Sequence, residues 1–317
     1  MQDAAAGPIT VHAPAKINLA LHVTGRRPDN YHLIDTLAVF ARFGDRVTVG
    51  PAEQDRFSVT GPFAGQVPQD ESNLVLRARD ALRMISPLAG EMSGRTEGGA
   101  TERGLNVRSS KHLPVSIHLE KNLPAASGLG GGSSDAAAAL RGLAELWGLE
   151  IGETELASIG LELGADLPMC LATKPLIARG IGDVLSPVAG FPALGLVLVN
   201  PGGAVSTAEV FSRLTSRDNE ALPPLPEKLD FHTLCNWLEG TRSDLEPAAR
   251  AIQPGIAAAL AALRKADAHF ARMSGSGATC FGIFETGNVA KRAAAAIRTR
   301  HPNWFVAATR NIASEGL

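Results

Sequence analysis

The stretch PAASGLGGGSSDAAAAL, residues 124–140, constrains the fold more than any other part of the chain. Before it, Val115, Ile117 and Leu119 alternate with polar residues, which predicts a strand. After it, an alanine-rich segment predicts a helix. A glycine loop between a strand and a helix brings backbone N–H groups and a helix N-terminus to one place, where they favour an anion. The stretch therefore predicts a phosphate site, with a flexible Gly/Ser linker as the alternative.

Neither of two common phosphate loops fits this stretch. A Walker A loop needs a lysine before its last Ser or Thr, whereas no lysine occurs between Lys121 and Lys174. A dinucleotide-binding fingerprint needs a third glycine where Ser133 stands. The side chains of Ser133, Ser134 and Asp135 could cap the helix, contact phosphate oxygens or hold Mg²⁺.

Composition limits the classes of partner. The formal net charge of -2 gives no broad attraction for nucleic acid or an anionic membrane, so we expect neither as a partner. The widely separated Cys170, Cys235 and Cys280 suit reduced, buried thiols in a cytosolic protein. The N-terminal segment lacks the pattern of a secretion signal, and no apolar run is long enough to span a bilayer. We therefore expect a cytoplasmic protein, either a monomer or a homodimer.

Alternation of polar and apolar residues from Ala13 to Gly25 predicts a half-buried strand. Its polar face, with Lys16, Asn18 and His22, is expected to point outward. The composition of residues 26–30, RRPDN, predicts a turn.

Two further segments follow from pattern and composition. Helical spacing over residues 72–84 predicts a helix that Ser72 or Asn73 could cap. Residues 88–112 are rich in Gly, Ser, Thr and charge, which predicts a mobile surface insertion. A length of 317 residues with 45% hydrophobic composition favours two domains.

Three segments together resemble the motifs of the GHMP small-molecule kinases, the superfamily of galactokinase, homoserine kinase and mevalonate kinase. PAASGLGGGSSDAA resembles their central ATP-binding motif, PAKINLAL at residues 14–21 the N-terminal motif, and MSGSGATCFGIF at residues 273–284 the C-terminal glycine motif. KINLALHVTGRRPDNYH, LGADLPM, ARGIGDVLSPV and NPGGAVSTAEVF are similar to the branch that acts on 4-diphosphocytidyl-2-C-methyl-D-erythritol, in the non-mevalonate route to isoprenoid precursors. The resemblance covers nearly the whole chain except residues 88–112.

The resemblance implies an α+β fold with two domains and an active site between them. Residues 1–174 would be like ribosomal protein S5 domain 2, and residues 175–317 would be ferredoxin-like. ATP would donate its γ-phosphoryl group to the tertiary hydroxyl of the small-molecule substrate, with Mg²⁺ as counter-charge and its ligands unassigned. The alternatives are another GHMP kinase, acting on homoserine or a mevalonate-pathway substrate, and a non-catalytic nucleotide sensor on the same fold.

The resemblance also implies a role for individual residues. Lys16 and Asp166 match the catalytic pair, although spacing alone would make Lys16 a surface lysine and Asp166 a turn cap after a helix that ends near Gly164. Asp166 would orient the substrate hydroxyl and accept its proton, either as a true base or mainly as a positioning group. The implied ATP-binding residues are Pro124, Ala125, Ala126, Ser127, Gly128, Leu129, Gly130, Gly131, Gly132, Ser133, Ser134 and Asn73. The implied substrate-binding residues are Asn18, Tyr31, His32, Thr207, Phe211, Gly275, Ser276 and Gly277.

At the cytidine end, the resemblance implies that Tyr31 and Phe211 stack on the two faces of the base while His32 contacts its edge. Asn18 and Thr207 would lie near the methylerythritol group. The chain departs from the family at Asn30, where a glycine is usual, and asparagine tolerates the left-handed backbone better than other non-glycine residues.

Overall fold

The structure, a computed structural model, describes residues 7–85 and 113–312, so the predicted insertion at residues 88–112 lies outside the described residues. The strands are β1 (Ile9–Arg26), β2 (His32–Pro51), β3 (Arg56–Thr60), β4 (Val115–Glu120), β5 (Leu176–Arg179), β6 (Val184–Pro187), β7 (Gly195–Asn200), β8 (Phe270–Met273), β9 (Cys280–Phe284) and β10 (Phe305–Arg310). The helices are α1 (Leu74–Ile85), α2 (Gly131–Leu146), α3 (Glu153–Leu163), α4 (Leu167–Ala172), α5 (Thr207–Ser212), α6 (Phe231–Glu239), α7 (Glu246–Ile252), α8 (Gly255–Lys265) and α9 (Gly287–Arg300). Within these ranges no helix combines the length and apolarity needed to cross a bilayer.

The first sheet has the strand order β3-β4-β2-β5-β6, with β1 paired antiparallel to β2 along most of its length. β3 and β4 are parallel neighbours, which fits a crossover through α1, whereas the other neighbours in this sheet are antiparallel. Apolar side chains of α1, α2, α3 and α4 pack with those of β2 and β4 into one buried cluster. This core holds α2, and therefore its N-terminus, against the sheet.

The second sheet has the order β10-β7-β9-β8 with antiparallel neighbours throughout. Helices α8 and α9 supply buried residues to its core. This order, with a helical connection before β8 and another before β10, is that of a ferredoxin-like sheet. The two sheets and their helices confirm the predicted α+β class.

The first sheet extends beyond residue 174. β5 pairs with β2, and β6 pairs with β5, so strands of the C-terminal half of the sequence complete the N-terminal sheet. By sheet membership the N-terminal unit continues to Pro187, while the division at residues 174 and 175 stays a prediction.

The prediction that the polar face of β1 points outward is wrong. Every residue from Ala13 to Val23 is buried, including Lys16, Asn18 and His22. Apolar residues of β1 share a core with the second sheet, and the polar residues face the junction of the two units instead of bulk solvent. Alternation along a strand reports two different environments but does not say which one is water.

Predictions from local sequence patterns agree better with the structure than the predicted exposure of β1. The α1 helix follows Asn73, whose Oδ1 accepts a hydrogen bond from the Val75 N–H at 2.9 Å, as a capping residue does. Asn30 has a φ of 73° in the predicted turn between β1 and β2. Cys170, Cys235 and Cys280 are free and buried.

Candidate active site

The glycine loop, residues 124–130, lies between the two units and leads into α2. Its carbonyl groups are held from both sides: the Lys16 N–H donates to Leu129 O at 2.8 Å, the Ser274 hydroxyl to Gly128 O at 2.8 Å, and the Thr279 N–H to Ser127 O at 3.0 Å. Because C=O and N–H point in opposite directions across a trans peptide, the following N–H groups point away from these partners. These hydrogen bonds therefore fix the backbone of the loop and the direction in which its N–H groups point.

Glycine is required in this loop for steric reasons. Gly128 and Gly130 have φ values of 77° and 62°, which other residues rarely adopt. A Cβ atom on Gly128 would collide with the Ser274 carbonyl, and one on Gly130 would lie 3.1 Å from Lys16 Cε. The glycines therefore allow the loop to approach both the second unit and Lys16.

Lys16 and Asp166 form an ion pair, with 2.7 Å between Nζ and Oδ2. Lys16 lies on β1 and its side chain is 5% exposed, whereas Asp166 precedes α4 and its side chain is 40% exposed. Asp166 makes no side-chain capping bond to α4, so its carboxylate serves the ion pair and not the helix. The pair therefore places a partly exposed carboxylate beside a buried ammonium group.

Asn18 has a fixed amide orientation. Its Nδ2 donates to Thr36 Oγ1 at 2.9 Å, and the Thr36 hydroxyl donates to Ala20 O at 2.6 Å. Since the only Thr36 hydroxyl proton goes to Ala20, this hydroxyl must accept from the amide nitrogen. Asn18 Oδ1 is left buried and without a partner among the described residues. It offers an acceptor for a donor group on a ligand.

His32, and not Tyr31, covers Phe211 in the structure. The two rings are 4.6 Å apart and inclined by 25°, whereas Tyr31 is 56% exposed. His32 Nε2 is buried and lacks a partner in the described part of the chain. Burial lowers the pKa of His32, and Arg26 and Arg217 lower it further, so the neutral imidazole is favoured.

These groups line one cavity of about 940 Å³, the cleft. The predicted site residues in its wall are Lys16, Asn18, Tyr31, His32, Ala126, Ser127, Gly128, Gly130, Gly131, Gly132, Ser133, Asp166, Thr207, Phe211, Gly275 and Ser276. The predicted site residues outside its wall are Pro124, Ala125, Leu129, Ser134, Asn73 and Gly277. Ser134 is buried and donates to Pro14 O at 2.7 Å, and Asn73 caps α1, so both side chains already have structural partners.

Asp135 belongs to a buried cluster behind the loop. Lys121 Nζ lies 2.7 Å from Asp135 Oδ2 and 2.5 Å from Asp45 Oδ2. Burial opposes the charge of Lys121, but the two carboxyls together raise its pKa. Asp45 Oδ1 also accepts from the N–H groups of Asn122 and Leu123, which anchors the two residues before the loop. Of the three side chains considered for Mg²⁺, only that of Ser133 reaches the cleft.

Arg26 and Arg217 were missed by the sequence analysis although they line the cleft. Arg26 was included only in the predicted turn, and no periodicity or motif distinguishes Arg217 in the segment after α5. Among the described residues no three His, Cys, Asp or Glu side chains are grouped to hold a metal ion.

Comparisons with known proteins agree with this geometry. Residues 95–174 match the model of the GHMP kinases N terminal domain, and residues 225–303 match that of the GHMP kinases C terminal domain. A 4-diphosphocytidyl-2-C-methyl-D-erythritol kinase from Mesorhizobium japonicum is 65% identical over 99% of both chains. One from Brucella melitensis is 52% identical over 95% of this chain and 94% of its own.

Solved structures extend the similarity to the fold. A crystal structure of a 4-(cytidine 5'-diphospho)-2C-methyl-D-erythritol kinase matches with a TM-score of 0.73 and 29% identity, covering 96% of this chain and all of the other. Homoserine kinase from Cytophaga hutchinsonii shares the fold, with a TM-score of 0.64, 18% identity and coverage of 100% of this chain and 98% of its own. The two domain models, the relatives and the cleft together show that this chain belongs to the GHMP kinase family.

Proposed function

We propose that this protein transfers the γ-phosphoryl group of ATP to the tertiary 2-hydroxyl of 4-diphosphocytidyl-2-C-methyl-D-erythritol, in the cytoplasm and in the non-mevalonate route to isoprenoid precursors. The observation that carries the reaction is the Lys16–Asp166 pair, which lines the same cleft as the glycine loop and the His32–Phe211 stack. The identity of the substrate is supported by the names of relatives that are similar over nearly the whole chain.

The glycine loop would bind the phosphates of ATP. The first N–H groups of a helix lack partners within that helix, and the helix dipole adds positive potential at the same end. Mg²⁺ would neutralise phosphate charge; it commonly binds through phosphates, waters and few protein oxygens. Ser133 lies in the first turn of α2 and offers a hydroxyl at the cleft wall.

Lys16 and Asp166 would act on the reacting atoms. Phosphoryl transfer depends on positioning and on cations that stabilise the charge of the transferred group. Lys16 lies beside Gly130 of the loop and also binds Asp166, so its ammonium can serve both the phosphoryl group and the carboxylate. Asp166 would orient the acceptor hydroxyl and receive its proton as the new P–O bond forms.

Asn18 and Thr207 would position the acceptor end of the substrate. The unpaired Asn18 Oδ1 can accept a hydrogen bond from a hydroxyl, which leaves a neighbouring hydroxyl free to face Asp166. Thr207 Oγ1 lies 2.8 Å from Ser276 Oγ, which joins α5 to the second glycine motif at the cleft wall.

Binding of cytosine between Tyr31 and Phe211 requires a local rearrangement. His32 covers one face of Phe211, so the imidazole must leave that face before the base can stack there. We expect the neutral imidazole, freed in this way, to contact the base edge. Tyr31, which is exposed, would close over the other face of the base.

A substrate panel tests this function. The purified protein with ATP and Mg²⁺ should release ADP with 4-diphosphocytidyl-2-C-methyl-D-erythritol, and not with homoserine or mevalonate. Asp166→Asn is the matched inactive protein. Turnover of homoserine or mevalonate alone would assign another GHMP kinase activity, and ATP binding without any turnover would favour the nucleotide sensor.

A further inference from the structure

The charges on the wall of the cleft do not balance. Its charged side chains are Lys16, Arg26, Asp29, Asp166 and Arg217. Lys16 pairs with Asp166 at 2.7 Å, and Asp29 pairs with Arg27 at 2.8 Å. In the described part of the chain, neither Arg26 nor Arg217 has a carboxylate partner. Two guanidinium charges therefore remain uncompensated at one cavity.

The hydrogen bonds of these arginines leave most of their donors available. Arg217 Nη2 donates to Ser212 O at 3.4 Å, and Arg26 Nε to Asn30 O at 3.5 Å, both long distances for such bonds. Arg217 Nε is buried and has no partner among the described residues. An unpartnered buried donor on a cation is costly, which indicates a site arranged for an anion.

The two arginines lie at the His32 end of the cleft. Arg26 donates to Asn30 O, next to Tyr31, and Arg217 donates to Ser212 O, next to Phe211. Both also lower the pKa of His32. His32 in turn stacks on Phe211. The uncompensated charges are therefore placed beside the aromatic residues, where a base would bind.

We propose that Arg26 and Arg217, the arginine pair, form a subsite for the diphosphate group of a pyrimidine nucleoside diphosphate substrate. The inference rests on the proposed function and adds the residues that recognise the charged part of the substrate. A diphosphate diester carries two negative charges at neutral pH, which matches two guanidinium groups. Arginine binds phosphate oxygens with paired, charge-assisted hydrogen bonds. The pair would select against acceptors of the same kinase fold that lack a diphosphate.

Calorimetric titration with CDP and with cytidine tests the subsite. A non-hydrolysable ATP analogue at saturation occupies the nucleotide end, so that both probes report on the other end of the cleft. The wild type should bind CDP about 100-fold more tightly than cytidine, since two charge-assisted contacts each contribute about ten-fold. Arg26→Gln and Arg217→Gln should each reduce this ratio about ten-fold while the Kd for cytidine stays within about two-fold.

Arg213→Gln is the matched control, because Arg213 is exposed, pairs with Glu209 at 2.6 Å and is not part of the cleft wall. It should leave the ratio unchanged. An unchanged ratio in both test variants, with cytidine binding intact, would overturn the arginine pair and leave the proposed function standing. Loss of cytidine binding in the variants would also overturn it, because the arginines would then support the base site. Failure of the wild type to bind CDP would also overturn the arginine pair, and the substrate panel decides the proposed function separately.

Discussion

At the residue scale, two polar side chains of the cleft wall are each held by a neighbouring residue through one atom, which leaves a second polar atom free to bind a ligand. Lys16 holds Asp166 by one carboxylate oxygen, and Thr36 holds the nitrogen of Asn18. In both cases a buried neighbour determines which atom is left for the cleft. The function of each pair can therefore be tested by changing hydrogen-bonding atoms while keeping shape.

Asp166→Asn should reduce turnover by about 10²-fold or more, because positioned acid–base groups usually contribute at least this factor. The amide keeps the size of the side chain but cannot accept the substrate proton. Steady-state kinetics and ATP titration measure the effect, and the affinity for ATP should change little. Asp267→Asn is the control, since Asp267 is exposed and has a φ of 62° that asparagine tolerates. Near-normal turnover of a folded Asp166→Asn protein would contradict the role.

Thr36→Val should lower kcat/KM for the cytidine substrate by about ten-fold, the value of one buried hydrogen bond near the upper end of its range. Without the hydroxyl, the Asn18 amide loses the partner that orients its carbonyl towards the cleft. The KM for ATP should stay unchanged, and Thr36→Ser should restore activity. Thr48→Val, on the same strand and paired with Thr10 at the surface, is the control. Equal losses in the valine and serine variants would exclude the orienting role.

At the element scale, the glycine loop depends on what is packed behind it. Asp45 anchors Asn122 and Leu123 just before the loop, and Lys121 links Asp45 to Asp135 near the start of α2. Burial raises the pKa of Asp135 to about 8, and Asp45 adds to the rise although Lys121 opposes it. A protonated Asp135 removes one charge from this buried cluster, which suits a site without access to water.

This cluster predicts a pH dependence of stability. The Asp135 carboxyl has a pKa of about 4 in the unfolded chain, so between about pH 4 and pH 8 the folded protein binds the extra proton. The contribution of Asp135 to stability therefore falls as pH rises through that window. Asp135→Asn cannot ionise, and the free energy of unfolding of the wild type should fall relative to it by up to about 1.4 kcal/mol per pH unit. Urea denaturation at pH 5, 6 and 7 measures this difference, and a constant value would show that Asp135 does not titrate.

At the scale of the whole molecule, the two sheets share buried surface and polar connections. Arg272 on β8 donates to Leu19 O of β1 at 3.0 Å and to Leu238 O and Thr241 O near the end of α6 at 3.0 and 2.7 Å. Its guanidinium also lies 4.6 Å from the Phe270 ring centroid. Burial lowers the pKa of Arg272 to about 10, so the group remains charged at neutral pH. The arginine ties the two units together beside their common core.

Arg272→Met should destabilise the whole protein by at least about 2 kcal/mol, because several carbonyl groups lose a donor at once. The apolar stem is kept, so the change tests the hydrogen bonds more than the packing. Calorimetry should show a lower Tm with one cooperative transition, since the units share a core. Arg292→Met, on the exposed side of α9, should leave Tm nearly unchanged. An Arg272→Met protein with the Tm of the wild type would show that these contacts contribute little.

The sequence alone determined the features that depend on neighbouring residues. The strand, glycine loop and α2 follow from periodicity and from backbone conformations that favour glycine. The Asn73 cap and the Asn30 turn follow from local hydrogen bonding and backbone tolerance. The three motifs also indicated the kinase family, because each resembles a motif of that family in its residues and their spacing.

Only the tertiary structure decided which of these features meet and which of them line the cleft. Lys16 and Asp166 are separated by 150 residues, and Asn18 and Ser274 by 256, so no local pattern could predict their contacts. Lys16 and Asn18 of β1 line the cleft because a second unit covers that side of the strand, and Arg217 lines the same cleft although no motif or periodicity marks its segment. The position of His32 on Phe211 likewise depends on packing between elements far apart in the chain. These contacts form only when distant segments of the chain pack around a shared core. The local spacing of residues carries no information about that packing.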